Sequence, residues 1–236
     1  MASWLTPARR RGVEVLDDPA TADDVRERAM RDVAKSNALF GGTRSVERAV
    51  DGLLPSIPEP SLLLDVGTGT GDIPARLAAR HPGVVTVGLD VSVALLRKAR
   101  TRLDGVVAGS VLELPLRDGS VDVVVCSQLL HHFEHADAVR VVREAQRVSR
   151  GWIVIADIRR SRLAAAAFWM ASAALRFHPV TRHDGVVSVM RGFTAADLRE
   201  IVRQATGVDP RIERSMFWRL AAVWRKSPTA GHAVYT

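Results

Sequence analysis

The 236-residue sequence is poor in cysteine and aromatic residues, and it contains no hydrophobic run long enough to cross a bilayer. Its only cysteine, Cys126, excludes an intramolecular disulfide. The first residues lack the continuous apolar stretch of a signal peptide, which predicts a cytoplasmic location. The most apolar segment, "LAAAAFWMASAAL" at 163–175, would extend about 20 Å as a helix, less than the roughly 30 Å hydrocarbon core of a membrane.

The sequence also lacks a long basic run, although its formal net charge is +7. Its arginines are scattered and cluster only locally, at 9–11 and around 159–162. No Pro-Pro pair and no basic patch rich in aromatic residues is present to stack on bases. The charge is therefore interpreted as a solvated basic surface, and no nucleic-acid partner is expected.

The chain length favours one α/β domain with a substantial core. Residues 1–20 are interpreted as a peripheral arm and residues 21–226 as a single domain. Within that domain, residues 21–58 form a predicted helical preface, and residues 159–195 form a separate predicted segment. Residues 227–236 are predicted to be a loose tail.

Apolar strand-like runs alternate with amphipathic helix-like segments from "SLLLDV" to "GWIVIADI". Such alternation is typical of a parallel sheet covered on both faces. Ser92 is a predicted helix N-cap, and Thr194 with Asp197 forms a predicted capping box. An apolar helix at about 162–177 is followed by a predicted loop containing Pro179, and "DPRIERSM" and "WRLAAVWRK" are predicted as closing strands.

Three glycines at alternate positions end the first predicted strand, in "LLLDVGTGTGD" at 62–72. Glycines there permit positive φ and let a ligand approach the backbone of the strand-to-helix turn. The nicotinamide and flavin fingerprint has the different spacing G-x-G-x-x-G and places a pyrophosphate at the helix N-terminus. Here Asp65 precedes the glycines and Asp72 follows them. Both would repel a pyrophosphate and would attract an ammonium and a sulfonium.

The turn resembles motif I of the class I S-adenosylmethionine-dependent methyltransferases, and the resemblance extends over about residues 60–158. It implies an α/β, Rossmann-like, doubly wound sheet of seven strands, mostly parallel with an antiparallel last strand, and helices on both faces. It also implies S-adenosylmethionine as cofactor, with S-adenosylhomocysteine as product, and no metal. Upstream, "NALFGGTRSVE" is loosely similar to a segment of the quinone-biosynthesis C-methyltransferases and of some polyketide-phenol methyltransferases.

Within this resemblance, Asp90 at the end of the second strand is expected to accept hydrogen bonds from the ribose hydroxyls. Ser110 and Val111 stand where the family usually has an acidic residue for the adenine amino group. A further departure is Trp152, where the family often has a second glycine. The predicted cofactor-binding residues are Asp65, Gly67, Thr68, Gly69, Thr70, Gly71, Asp90, Val91, Ser110, Val111, Ser127 and Gln128.

Methyl transfer needs no nucleophilic side chain, but an oxygen acceptor benefits from a base near neutral pKa. His131 and His132 follow the fourth strand, at the carboxyl edge of the predicted sheet. His183 with Asp184, and His178 nearby, lie in residues 159–195, a segment that the resemblance implies closes over the methyl acceptor. His131, His132 and His183 are the candidate catalytic residues, and a helix-entry or backbone-bonding role is the alternative for the first two.

The expected acceptor is a small hydrophobic quinone, phenol or polyketide-like molecule, methylated on carbon or oxygen, because Phe168, Trp169 and Met170 could sandwich a ring. Arginines beside this apolar helix allow contact with an anionic membrane surface. The alternatives are a methyltransferase that acts on protein or RNA, and a noncatalytic S-adenosylmethionine-binding protein. A nicotinamide-dependent enzyme is the remaining alternative.

Overall fold

The computed structural model describes residues 4–10, 12–18 and 20–227. The rest of the predicted tail, residues 228–236, lies outside the described residues, as do residues 1–3 of the predicted arm. The strands are β1 Ser61–Val66, β2 Val84–Asp90, β3 Gly105–Ala108, β4 Val121–Ser127, β5 Ser149–Ile158, β6 Arg211–Ser215 and β7 Arg219–Arg225. The α-helices are α1 Asp23–Leu39, α2 Gly42–Asp51, α3 Asp72–Arg80, α4 Val93–Ala99, α5 His135–Val148, α6 Arg162–Ala174, α7 Pro179–Arg191 and α8 Ala195–Thr206.

The seven strands form one sheet in the order β3-β2-β1-β4-β5-β7-β6. Neighbouring strands are parallel in the β3-β2-β1-β4-β5 part of the sheet, whereas β7 is antiparallel to both β5 and β6. This arrangement confirms the predicted doubly wound sheet with an antiparallel last strand. The order reverses between β1 and β4, which is the position where sheets of this kind bind ligands.

The central strands are apolar on both faces, so successive residues enter different cores. Leu64 and Val124 pack in a core with α5 and α8, whereas Leu63 and Val123 pack in a core with α2 and α3. Continuous apolar strands are expected when helices cover both faces of a parallel sheet. The helical preface thus supplies part of the second layer, through α2.

The predicted helix starts are confirmed where a side chain can cap the backbone. Ser92 Oγ accepts from the backbone N–H of Leu95, and Thr194 and Asp197 form the reciprocal bonds of a capping box. The predicted loop containing Pro179 is wrong, because this residue begins α7. Proline suits the first position of a helix, where no N–H is needed, and His178 caps it.

The predicted peripheral arm is in contact with the domain. Arg9 Nη2 donates to the backbone carbonyls of His131 and Phe133, at 2.9 and 2.7 Å. Further along, the N–H groups of residues 15 and 16 donate to the two carboxylate oxygens of Asp184 in α7. The N-terminal segment therefore lies across the carboxyl edge of the sheet.

The apolar helix α6 is not packed all round. Phe168 contacts Phe40 edge to face, with ring centroids 5.7 Å apart, whereas Trp169 and Met170 are exposed. Among the described residues, no helix combines the length and the apolar character needed to cross a membrane.

Candidate functional site

The glycine turn joins β1 to α3 with three glycines in the left-handed region: Gly67 at φ +75°, Gly69 at +57° and Gly71 at +76°. A side chain at each of these positions would be strained. A Cβ at Gly67 would also lie 2.8 Å from Leu129, whereas one at Gly69 would meet no atom within 4 Å. The turn is therefore tight on one side and open at its middle glycine.

Asp90 holds this turn from the neighbouring strand. Its Oδ2 accepts from the N–H of Gly69 at 2.9 Å, and its Oδ1 accepts from the N–H of Ser92 at 2.8 Å. Each carboxylate oxygen has a second lone pair beyond these bonds. The side chain of Asp90 thus fixes the glycine turn and the start of α4. Its carboxylate oxygens can still accept further hydrogen bonds.

A cavity of about 310 Å³, called the turn cavity below, opens beside the glycine turn. Helix α1 covers it with residues that include Val33 and Asn37. Seven of the predicted cofactor residues line it: Asp65, Gly67, Thr68, Gly69, Thr70, Ser127 and Gln128.

The other predicted cofactor residues lie outside the lining of this cavity. Gly71 and Asp90 belong to the turn and its support. Val91 is exposed, and Ser110 Oγ accepts from the N–H of Leu112 at 3.2 Å. Val111 packs against the core that contains α5 and α8.

The turn cavity contains an unusual carboxyl group. Burial raises the pKa of Asp65 to about 7, and the nearby charge of Asp90 adds to this effect, while the neighbouring hydroxyl of Thr68 opposes it. Asp72, at the start of α3, instead pairs with Arg102 and accepts from Thr70 Oγ1. A cation placed in this cavity would favour ionisation of Asp65.

A second cavity of about 120 Å³, called the histidine cavity below, adjoins the first. The two share Val33, Asn37 and Gln128 in their linings. Apolar walls come from residues such as Ile158 and Phe168. Such a volume is slightly smaller than the engineered cavities of about 150 Å³ that take up benzene. The cavity therefore suits one small ring or a group of similar size.

His131 and Asp157 form a buried pair at the wall of the histidine cavity. His131 Nδ1 lies 2.7 Å from Asp157 Oδ1, and both side chains are almost fully buried. Asp157 also accepts from the N–H groups of His131 and Ile158. Burial opposes ionisation of Asp157, but the charge of His131 and these hydrogen bonds outweigh it and lower the pKa of Asp157.

The acceptor role of Asp157 fixes the proton on His131. An ionised carboxylate only accepts hydrogen bonds, so His131 Nδ1 must be the donor. In the neutral imidazole the other ring nitrogen, Nε2, then carries a free lone pair. This is the arrangement of a base whose orientation is set by a carboxylate.

His132 lies beside it and pairs with the N-terminal segment. Its Nδ1 is 3.4 Å from Asp17 and its Nε2 is 3.9 Å from Glu14. Burial lowers the pKa of His132, but the hydrogen bond with Asp17 and the charges of both carboxylates outweigh burial and raise it. His132 thus ties the N-terminal segment to the edge of the sheet.

Among the described residues, one group of side chains could hold a metal ion. It consists of Glu14, His131 and His132, whose ligand atoms lie within 4.8 Å of one another. Glu14 Oε1 already accepts from Ser188 Oγ at 2.8 Å and faces Arg191 Nη1 at 3.5 Å. A guanidinium so close to the cluster repels a divalent cation. The geometry therefore favours proton binding and transfer over metal binding at this cluster.

The structure does not bring His183 to either cavity. Its side chain is 56% exposed and bonds Asp184 at 2.8 Å on the outer side of α7. Asp184 itself lines the histidine cavity, while His178 caps α7 through its Nδ1.

Three residues of the histidine cavity region were not among the residues predicted from the sequence. Glu14 lies in the segment interpreted as an arm, Asp157 is the next-to-last residue of β5, and Arg219 is the first residue of β7. Each is almost fully buried, which is unusual for a charged side chain. A charged residue at the end of a buried strand is the pattern that points to the last two.

Comparison with known proteins finds relatives of the segment that carries the glycine turn. Residues 64–155 match a protein family described as a methyltransferase domain, a segment that runs from β1 into β5. A demethylmenaquinone methyltransferase of Roseiflexus sp. is 35% identical over 119 residues, 49% of this chain and 49% of that protein. A malonyl-[acyl-carrier protein] O-methyltransferase of Geobacter sulfurreducens is 36% identical over 110 residues, 44% of this chain and 40% of that protein.

Solved structures extend the likeness to the whole fold. A SAM-dependent methyltransferase from Thermotoga maritima superposes with a TM-score of 0.59 at 18% identity, covering 86% of this chain and 99% of that chain. Magnesium protoporphyrin IX methyltransferase from Synechocystis, solved with bound SAH, gives a TM-score of 0.57 at 16% identity, covering 90% of this chain and 91% of that one. The aligned segments span about a third to a half of the curated relatives matched first.

Proposed function

Because residues 64–155 match a protein family described as a methyltransferase domain, we propose that the chain transfers the methyl group of S-adenosylmethionine to an oxygen of a small phenolic acceptor. The observation that carries this proposal is the junction of the two cavities: a glycine turn of the cofactor-binding type opens beside a buried, carboxylate-oriented histidine. Carbon methylation of a quinone-like ring is the alternative within the same class.

The turn cavity fits the proposed cofactor. The middle glycine, Gly69, leaves open space where a side chain would stand. Ser127 Oγ is buried and has no hydrogen-bond partner among the described residues, so a polar ligand there would relieve an unfavourable state. The carboxyl group of Asp65 suits a positively charged ligand. When bound, the cofactor supplies an electrophilic methyl group on a sulfonium.

On this proposal, the chain holds the cofactor with the residues predicted from its sequence. Asp90 uses its remaining lone pairs for the ribose hydroxyls, and Asp65 ionises beside the ammonium. Ser110 and Val111 contribute from the loop after β3 as adenine contacts. The glycine turn supplies backbone N–H groups without side chains in the way.

The histidine cavity supplies the base. His131 Nε2 accepts the proton of the acceptor hydroxyl, and Asp157 stabilises the imidazolium that results. The deprotonated oxygen would supply the electron pair of the new bond to carbon, and the pair of the broken bond would remain on the sulfur of the bound cofactor. The walls of the cavity exclude water and hold the acceptor in line, which supplies most of the rate enhancement.

Two relatives support a small acceptor. One is named a demethylmenaquinone methyltransferase and the other a malonyl-[acyl-carrier protein] O-methyltransferase. The histidine cavity admits about one ring, with Phe168 from α6 in its wall. A ring with an ionisable hydroxyl matches both the size of the cavity and the base within it.

Peripheral membrane contact is part of the same proposal. The exposed apolar residues Trp4, Leu163, Trp169 and Met170 lie on the N-terminal segment and α6, and Arg162 stacks on Trp4 at 5.6 Å. Apolar side chains beside arginines suit the surface of an anionic bilayer. Flotation with phosphatidylglycerol vesicles is expected to carry the protein upward, and the absence of flotation would remove this part.

The transfer itself is tested with methyl-labelled S-adenosylmethionine and a pool of monocyclic phenols and hydroxyquinones. The expected result is a labelled methyl ether, identified by mass, that His131→Gln fails to form at the wild-type rate. His183→Gln, which changes an exposed histidine, is the matched control and should remain active. A product labelled on ring carbon would instead support the quinone-like alternative, and the absence of any labelled product would contradict the proposal.

A further inference from the structure

We propose that Arg219 is an anion-binding residue that selects acceptors carrying an ionised acidic oxygen, either a phenolate or a carboxylate. The inference rests on the proposed function, because it identifies the chemical class of the acceptor for the same site. Arg219 begins β7 and lines the histidine cavity, where its side chain is almost fully buried.

The guanidinium of Arg219 bonds only to neutral oxygens within the described part of the chain. Its Nε donates to the backbone carbonyl of Phe40 at 3.0 Å, and its Nη1 donates to Gln128 Oε1. A guanidinium has five N–H donors, so these two bonds leave further N–H groups that can donate to a ligand. Burial lowers the pKa of Arg219 to about 10, and the group therefore stays charged at neutral pH.

The carboxylate whose charge acts on Arg219 is already engaged. Asp157 favours the charged form of Arg219 through space, yet its oxygens accept from the side chain and N–H of His131 and from the N–H of Ile158. A buried charge without a hydrogen-bonded counterion is costly. A buried charge with a structural role is paired with a counterion of the protein. In a binding site, the place of that counterion is left for a ligand.

A second donor stands beside the guanidinium. Gln128 Nε2 is buried without a hydrogen-bond partner among the described residues, while the amide oxygen of the same side chain accepts from Arg219. Gln128 lines both cavities, and its φ of +54° is strained for a residue other than glycine. The guanidinium and the amide thus form a donor pair at the junction of the two cavities, as an oxyanion would require.

The location decides what the pair recognises. Phe168, Ile158 and Leu16 make part of the cavity apolar, and a low dielectric strengthens a charge-assisted hydrogen bond. An acceptor held there as an anion has already lost its proton, which a phenol gives to His131 Nε2 and a carboxylic acid gives to solvent. Arg219 stabilises the bound anion before the methyl group moves, so its loss should raise KM more than it lowers kcat.

The test uses protein saturated with S-adenosylhomocysteine and two pairs of probes: 4-nitrophenol with 4-nitroanisole, and benzoate with benzamide. The anion of at least one pair is expected to bind about tenfold or more tightly than its neutral partner, since hydrogen bonds to charged groups contribute in this range. Bound 4-nitrophenol reports its own ionisation by absorbance. A preference confined to the first pair identifies a phenolate site, and one confined to the second pair identifies a carboxylate site.

Arg219→Met should abolish the preference, and Arg219→Lys should retain part of it with weaker affinity. Arg225→Met is the matched control, because this arginine lies on the same strand but is exposed. If Arg219→Met fails to fold, the Arg219→Lys variant and the wild-type preference decide the question. Equal binding of anions and neutral partners in the wild type, or an anion preference that survives both substitutions, would overturn the inference. Failure of S-adenosylhomocysteine to bind would instead contradict the proposed function.

Discussion

The turn cavity and the histidine cavity share a wall but are assembled differently. The first takes most of its polar lining from the ends of β1 and β4 and the residues directly after them, at 65–72 and 127–128. The second combines Glu14 from the N-terminal segment with His131, Asp184 and Arg219, which come from separate parts of the chain. Local backbone conformation therefore governs the turn cavity, whereas long-range packing and charge balance govern the histidine cavity.

The largest effect expected from this contrast lies in the histidine cavity. Asp157→Asn would let His131 adopt the other tautomer, so methyl transfer to a phenolic acceptor should fall roughly 10²- to 10⁴-fold. Affinity for S-adenosylhomocysteine should remain within a few fold of the wild type. Single-turnover rates and calorimetry measure the two quantities, and a loss of cofactor affinity equal to the loss of rate would show that the cavities are not separable.

The next effect lies in the turn cavity. Gly69→Val should lower affinity for S-adenosylhomocysteine by at least tenfold, because a side chain would be strained at φ +57° and would occupy the open space of the turn. Gly119→Val is the control, since Gly119 has φ +59° and lies in the turn that precedes β4. Both variants should lose stability. If the control also loses cofactor affinity, strain rather than the turn itself determines binding.

A pH dependence should distinguish the two cavities further. The pKa of Asp65 is raised to about 7 in the protein without ligand, so the group is largely protonated below that pH and must ionise to pair with an ammonium. Affinity for S-adenosylhomocysteine should therefore increase several fold between pH 6 and 7.5. Asp65→Asn should flatten this profile, whereas Asp72→Asn should preserve it. A flat wild-type profile would remove Asp65 from the ammonium site.

The smallest effect concerns the N-terminal segment. The pKa of His132 is raised in the folded protein by Asp17 and Glu14, so the stabilisation is fully present below the unfolded pKa and is lost as pH rises through the folded pKa. Thermal unfolding between pH 6 and 9 should show this loss in the wild type and not in His132→Gln. His135→Gln changes an exposed histidine and should behave as the wild type does.

The same contrast explains what the sequence could predict. Alternating strands and helices, the Ser92 cap and the glycine turn depend on neighbouring residues, and the sheet and the class I resemblance are confirmed. The structure corrects the predicted loop at Pro179, because proline suits the first position of a helix, where its missing N–H is not needed. The roles of individual cofactor residues stay predictions.

Only part of the histidine cavity could be predicted from the sequence. His131 was identified by its position after the fourth strand, but nothing in the local sequence pairs it with Asp157, which is 26 residues away. Arg219 resembles any other arginine until β7 places it beside β5. His183 was an equally reasonable candidate from sequence, and only the orientation of α7 directs it outward. The direction of a side chain on a helix depends on how the helix packs against the rest of the domain, which the residues near it in the sequence do not reveal.

The most direct test of the account is calorimetric titration of the wild-type protein with S-adenosylhomocysteine and, separately, with NAD. We predict saturable binding of one S-adenosylhomocysteine per chain, weakened at least tenfold by Gly69→Val, and no binding of NAD. Binding of NAD in place of S-adenosylhomocysteine, or S-adenosylhomocysteine binding that Gly69→Val leaves unchanged, would contradict the assignment of the glycine turn as the cofactor site.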